Sequence, residues 1–140
     1  FSAAKIETGG VDDIKPVIWN KLFANVGINA ITALTNIRNG QLLDFEETRD
    51  LMEAVVTEAI AVARALQVTV ADDALENVFA IVEATAINRS SMGQDVDALR
   101  PTEIDAINGY IVRRAEELGI DVPVNQTLTR LIKTLQAHYE

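Results

Sequence analysis

Apolar residues recur with a helical period along most of the chain. Met52, Val55, Ala59, Val62 and Leu66 are spaced by alternate threes and fours, the mark of one buried helix face. Leu75, Val78, Phe79, Val82 and Ala86 repeat the pattern after Asp72. Ile104, Ile107, Ile111 and Leu118 do so again, and Leu128, Leu131 and Leu135 carry it to the end. No stretch alternates with period two, the mark of a strand. The expected fold class is all-α, a helical bundle of about six helices with short connections.

Local signals set the expected boundaries. Residues 1–11 end in Thr8-Gly9-Gly10 and read as an irregular linker remnant, leaving 12–140 as the helical domain. Asp12-Asp13 predicts a helix start with Pro16 in its first turn, and Asn39-Gly40 predicts its stop, so that helix should end near Thr35. Asp44 with Glu47, Ser91 with Gln94, and Thr102 with Asp105 have the spacing of helix caps. Gly119 suits a left-handed helix end, and Pro123 suits a helix start.

The first helix is different in kind. Lys21, Asn25 and Asn29 recur every fourth residue in a segment that is otherwise apolar nearly all round. A helical residue turns by about 100°, so this spacing drifts by only about 40° per step and aligns one amine and two amides on a stripe. Thr32 and Asn36 extend it. Each residue alone has a structural reading, since a lysine can reach out to solvent and an asparagine can serve a neighbouring helix. Together on a buried helix they are costly without polar partners, and a small polar ligand entering from one side is the natural partner.

Composition narrows the classes of function. The chain has 140 residues, 49% hydrophobic and 24% charged, which suits one globular domain. A net charge of −9 argues against nucleic acid and against an anionic membrane surface as partners. There is no cysteine, so thiol chemistry and thiolate zinc sites are excluded; the single histidine, His138, lies two residues from the C-terminus, which argues against a histidine triad, and no metal is expected. No apolar run has transmembrane length, and no secretory pattern opens the chain. A start at Phe1 reads as a fragment of a longer chain. No G-x-G-x-x-G occurs, so the chain builds no dinucleotide-binding turn of its own.

Several motifs in order carry a family resemblance. They are Trp19-x-Lys21-Leu22 with Asn25 and Asn29, then Asn39-Gly40, then Asn88-x-Ser90-Ser91-Met92-x-Gln94-Asp95, then Arg100-Pro101-Thr102-Glu103-Ile104-Asp105 and Ile107-Asn108-Gly109. With the closing Gly119 to Leu128, the chain from about Val11 resembles the C-terminal domain of ketopantoate reductase, also called 2-dehydropantoate 2-reductase. The resemblance implies a helical bundle similar to the C-terminal domain of 6-phosphogluconate dehydrogenase. It implies a preceding Rossmann domain that binds NADPH, a cytoplasmic location and a possible homodimer. It implies reduction of ketopantoate to pantoate on the route to pantothenate and coenzyme A.

By position, the resemblance makes Lys21 the general acid and Asn25, Asn29, Asn39 and Ser91 substrate-binding, with Asn88 as a further supporting amide. It makes Glu103 a carboxylate on the cofactor's ribose side. From the residues alone, Ser91 and Glu103 also read as helix-start residues. Gly93 stands where the family usually has a bulkier residue, a departure expected to loosen the short helix or enlarge the pocket. The isolated fragment is expected to be inactive. Two alternatives stand beside this reading: a reductase of the same architecture acting on another 2-keto acid, and a non-catalytic helical dimerisation module.

Overall fold

The computed structural model describes the backbone of residues 2–139 and the side chains of residues 15–139. Among the described residues it is all-α: α1 (Ser2–Thr35), α2 (Glu46–Ala65), α3 (Ala74–Ala84), α4 (Ser91–Asp97), α5 (Asn108–Leu118) and α6 (Pro123–Ala137). Short 3₁₀ turns at Asn39–Leu43 and Ile104–Ala106 precede α2 and α5. The expected class and helix number are both found.

Helix α1 is the central rod, packed against α2, α3, α4 and α6. Every residue from Val26 to Ala33 is buried, so this half is surrounded by protein. Phe23, Val26 and Ile31 from α1 meet Met52, Val55, Val56 and Val62 of α2 in the core, joined by Val78, Met92, Ile111 and Ile132. Towards its N-terminal end the same helix leaves the bundle, and Val17 and Ile18 are 68% and 58% exposed. An apolar helix is thus buried over one half of its described length only.

Several boundaries differ from expectation. Helix α1 begins at Ser2, so backbone expected to be irregular is helical and Pro16 lies inside the helix, not in its first turn. Pro16 removes one donor, and Gly9 and Gly10 cost about 1 kcal/mol each, which a long helix tolerates. The helix does end at Thr35, but Asn36, at φ 60°, makes the left-handed stop and not Asn39-Gly40. The Asp44–Glu47 capping box does not form. Phe45 holds the cap position of α2, and Thr48 Oγ1 donates to the Leu42 carbonyl at 2.8 Å.

The helix expected from Thr102 is split by the backbone of Ile107, with α5 starting at Asn108. Gly119 at φ 71° ends α5 and Pro123 opens α6, as predicted. Leu118 and Leu131 are exposed, because Ile132 and Thr129 take the inward face of α6 and Ala115 that of α5.

Candidate functional site

The polar stripe of α1 passes from solvent into the core. Lys21 is exposed, Asn25 is half-buried and Asn29 is buried. The expectation of a buried ammonium is therefore corrected: the stripe is straight, but the bundle covers only its far end. Asn29 is followed on the same face by Thr32, which is fully buried.

Lys21 and Asn25 line a surface groove of about 340 Å³ together with Glu103, and with Ile18, Leu22 and Ala106. Its floor includes Trp19, Ile107 and Tyr110. The Trp19 and Tyr110 rings pack with centroids 6.0 Å apart. One face therefore offers an ammonium, an amide and a carboxylate over an aromatic base. Among the described residues Lys21 joins no ion pair.

Glu103 is positioned from α6. Gln136 Oε1 accepts from the Thr102 backbone N–H at 3.0 Å and from the Thr102 hydroxyl at 2.8 Å. Thr102 Oγ1 in turn accepts weakly from the Ile104 N–H at 3.3 Å. Glu103 thus stands before a short 3₁₀ turn and not in the first turn of an α-helix.

Asn29, Asn39 and Ser91 do not line the groove. Asn39 belongs to a seam in which residues 36–40 lie beside residues 85–90. The Asn39 N–H donates to the Asn88 carbonyl at 3.0 Å, and the Gly40 N–H to the Ala86 carbonyl at 2.9 Å. A Cβ on Gly40 would stand 2.6 Å from the Ala86 Cβ, so glycine is required here by close approach. Asn39 Nδ2 donates to Thr85 Oγ1 at 3.0 Å. Asn39 Oδ1 is buried and has no hydrogen-bond partner among the described residues.

Ser90, not Ser91, caps α4. Its Oγ accepts from the Gly93 N–H at 3.0 Å and lies 2.7 Å from Thr32 Oγ1. Thr32 Oγ1 already donates to the Ile28 carbonyl at 2.8 Å, so the Ser90 hydroxyl is the donor to Thr32. Gln94 Nε2 donates to the Arg89 carbonyl and completes no box with Ser91. Ser91 and Asn88 are exposed.

Sequence reasoning passed over Arg89, Ser90, Tyr110 and Gln136. Tyr110 carries a weak signal, one turn beyond Ile107 on the groove side. Arg89 and Gln136 carry none, because they act on segments far away in sequence. No group of His, Asp or Glu among the described residues has the arrangement of a metal site. No described helix is long and apolar enough to cross a membrane.

A family model described as the C-terminal part of ketopantoate reductase PanE/ApbA matches residues 13–136. The 2-dehydropantoate 2-reductase of Pyrobaculum aerophilum is 41% identical over 96% of this chain and 50% of its own length. That of Vibrio cholerae is 43% identical over 89% of this chain and 42% of its own length. The chain therefore spans about half the length of the curated relatives it matches. Among solved structures, a PanE/ApbA family ketopantoate reductase from Ralstonia eutropha superposes with a TM-score of 0.83 at 37% identity, over 87% of this chain and 41% of that one. A dimeric ketopantoate reductase from Staphylococcus aureus gives 0.81 at 29% identity, over 91% and 45%. A D-mandelate dehydrogenase with NADH and anilino(oxo)acetate gives 0.78 at 25% identity, over 86% and 40%.

Proposed function

The chain belongs to the ketopantoate reductase family through its C-terminal domain, and from that premise we propose that it is the substrate-binding half of an NADPH-dependent 2-dehydropantoate 2-reductase. Residues 12–140 are that half, residues 1–11 lead to it, and a Rossmann domain precedes it in the whole protein. The single observation that carries the reading is the groove holding Lys21, Asn25 and Glu103 side by side.

NADPH, when bound, supplies the hydride that reduces the 2-keto group. This chain has no glycine-rich turn for a pyrophosphate, so most of the cofactor's contacts belong to the preceding domain. The groove residues fit the remainder: Glu103 is an exposed carboxylate, suited to accept from ribose hydroxyls. Lys21 directs an ammonium at the ketone oxygen, stabilises the alkoxide as its charge develops and then gives up a proton to it. Asn25 and Asn29 orient the substrate's polar groups from the same helix face. Asn39 and Ser91 complete its binding, and the unpartnered Oδ1 of Asn39 favours a polar partner there.

A homodimer is part of this reading, supported by the dimeric relative from Staphylococcus aureus. So is the cytoplasmic location of a biosynthetic enzyme. A second reading, another 2-keto acid as substrate, is favoured by the likeness to D-mandelate dehydrogenase.

The test is NADPH consumption by the full-length protein with ketopantoate and with a panel of 2-keto acids. Selective turnover of ketopantoate supports the first reading, preference for another acid the second, and no turnover rejects both.

A further inference from the structure

The residue between Asn88 and Ser90 has no part in the reading above, yet its side chain crosses the whole seam. Arg89 Nη1 donates to the carbonyls of Thr32 and Ile37, each at 2.8 Å. Its Nε and Nη2 donate to the Asp97 carboxylate at 3.0 and 3.2 Å. One guanidinium thus bridges the last turn of α1, the turn that follows it and the far end of α4. Its side chain is only 14% exposed, so the fork is held inside the fold. The carbonyls at a helix end have no partners within the helix, and a cation suits them twice over, as donor and as charge.

Gly93 makes this possible. A Cβ at that position would lie 2.6 Å from Arg89 Cζ and 2.8 Å from its Nε and Nη1. The space that a side chain would fill at this position is taken up by the guanidinium of Arg89.

We propose that Arg89, admitted by Gly93, is a positioning residue for substrate binding, locking the turn that carries Asn39 and the start of α4 that carries Ser91 against the end of α1. The proposal rests on the reductase reading of those residues. It assigns Arg89 no contact with the reacting atoms. Lys21 stands about two turns of α1 before Asn29 and outside the span of this lock. Loss of the lock therefore weakens substrate binding more than it slows the chemistry.

The test uses Arg89→Ala, Arg89→Lys, Gly93→Ala and the double variant Arg89→Ala/Gly93→Ala in the full-length protein. Arg89→Ala should raise KM for the 2-keto acid by about tenfold or more, with kcat within about threefold and KM for NADPH unchanged. Arg89→Lys should not rescue it, because one ammonium cannot serve both carbonyls and the carboxylate. Gly93→Ala should produce the same split, and the double variant should be no worse than either single change. Melting temperature gives a reading independent of activity. Gly93→Ala should lower it in the unaltered protein and raise it beside Arg89→Ala, where only the helix-favouring effect of alanine remains.

Turnover with an unmoved KM in Arg89→Ala would overturn the positioning role alone. Additive losses in the double variant would overturn the link between Gly93 and the guanidinium. No turnover of any 2-keto acid by the unaltered protein would instead overturn the reading beneath, and the substrate-positioning role with it.

Discussion

The groove and the seam lie at opposite ends of the same polar stripe on α1, and they are built on opposite rules. In the groove, Lys21, Asn25 and Glu103 stand at the surface around an aromatic floor. In the seam, Ser90 is tied to Thr32, Arg89 to the Thr32 carbonyl and Thr85 to Asn39, each across a long sequence separation. Polar groups inside the seam are satisfied by the fold, while Lys21 and Glu103 in the groove join no ion pair among the described residues, as the proposed role in binding requires. Asn39 straddles the two rules, with its Nδ2 engaged and its Oδ1 unpartnered.

The largest expected effect tests the groove end. Lys21→Ala in the full-length protein should lower kcat by about 10²- to 10³-fold, the scale of losing one donor to a developing oxyanion. Its melting temperature should move little, because exposed side chains away from special features contribute within about 0.5 kcal/mol. An ordinary turnover rate, or a large loss of stability, would erase the distinction between the two ends.

The next test strikes the tied end. Gly40→Ala forces a methyl against Ala86 and should cost about 1–3 kcal/mol, the range for overpacking. Thermal or denaturant unfolding reads it, and an unchanged midpoint would mean that the seam yields easily. Ser90→Ala removes the α4 cap and the donor to Thr32, and about 1–2 kcal/mol of destabilisation is expected. If kcat fell a hundredfold with stability intact, Ser90 would belong with the proposed binding groups after all.

The smallest effect is on the acid side. The hydrogen bond from Arg89 holds the Asp97 carboxyl below its ordinary value of 3.8. A depressed carboxyl contributes stability that is present above that ordinary value and is lost as pH falls through the folded-state one. Asp97 is at the surface, so the contribution is modest. The gap in melting temperature between the unaltered protein and Asp97→Asn should be constant from neutral pH down to about 4 and close below that. A gap that widens on acidification would contradict the pairing.

Much of the fold could be read from local pattern. The period in Met52 to Leu66 marks the buried face of α2, and Pro123 and Gly119 mark helix ends by backbone chemistry that acts within a few residues. Cap assignments fared worse. Asp44 and Ser91 have cap spacing, yet Phe45 and Ser90 hold those positions, because each helix start is also set by what it packs on. The Thr102 segment breaks at Ile107, and its first residue is held by Gln136 of α6, a contact no local window contains.

From sequence alone came the helical class, the order of the helices, the absence of a cofactor-binding turn, and the alignment of Lys21, Asn25 and Asn29 on one face. All follow from a rotation of about 100° per residue and from short-range backbone preferences. The fold alone decided how deep each of those side chains lies and which distant groups meet it. Depth along a helix depends on where its neighbours stop covering it, and here they enclose Val26 to Ala33 but leave Lys21 in solvent. The same packing brings Arg89 to the carbonyls of Thr32 and Ile37 and gives Gly93 its purpose.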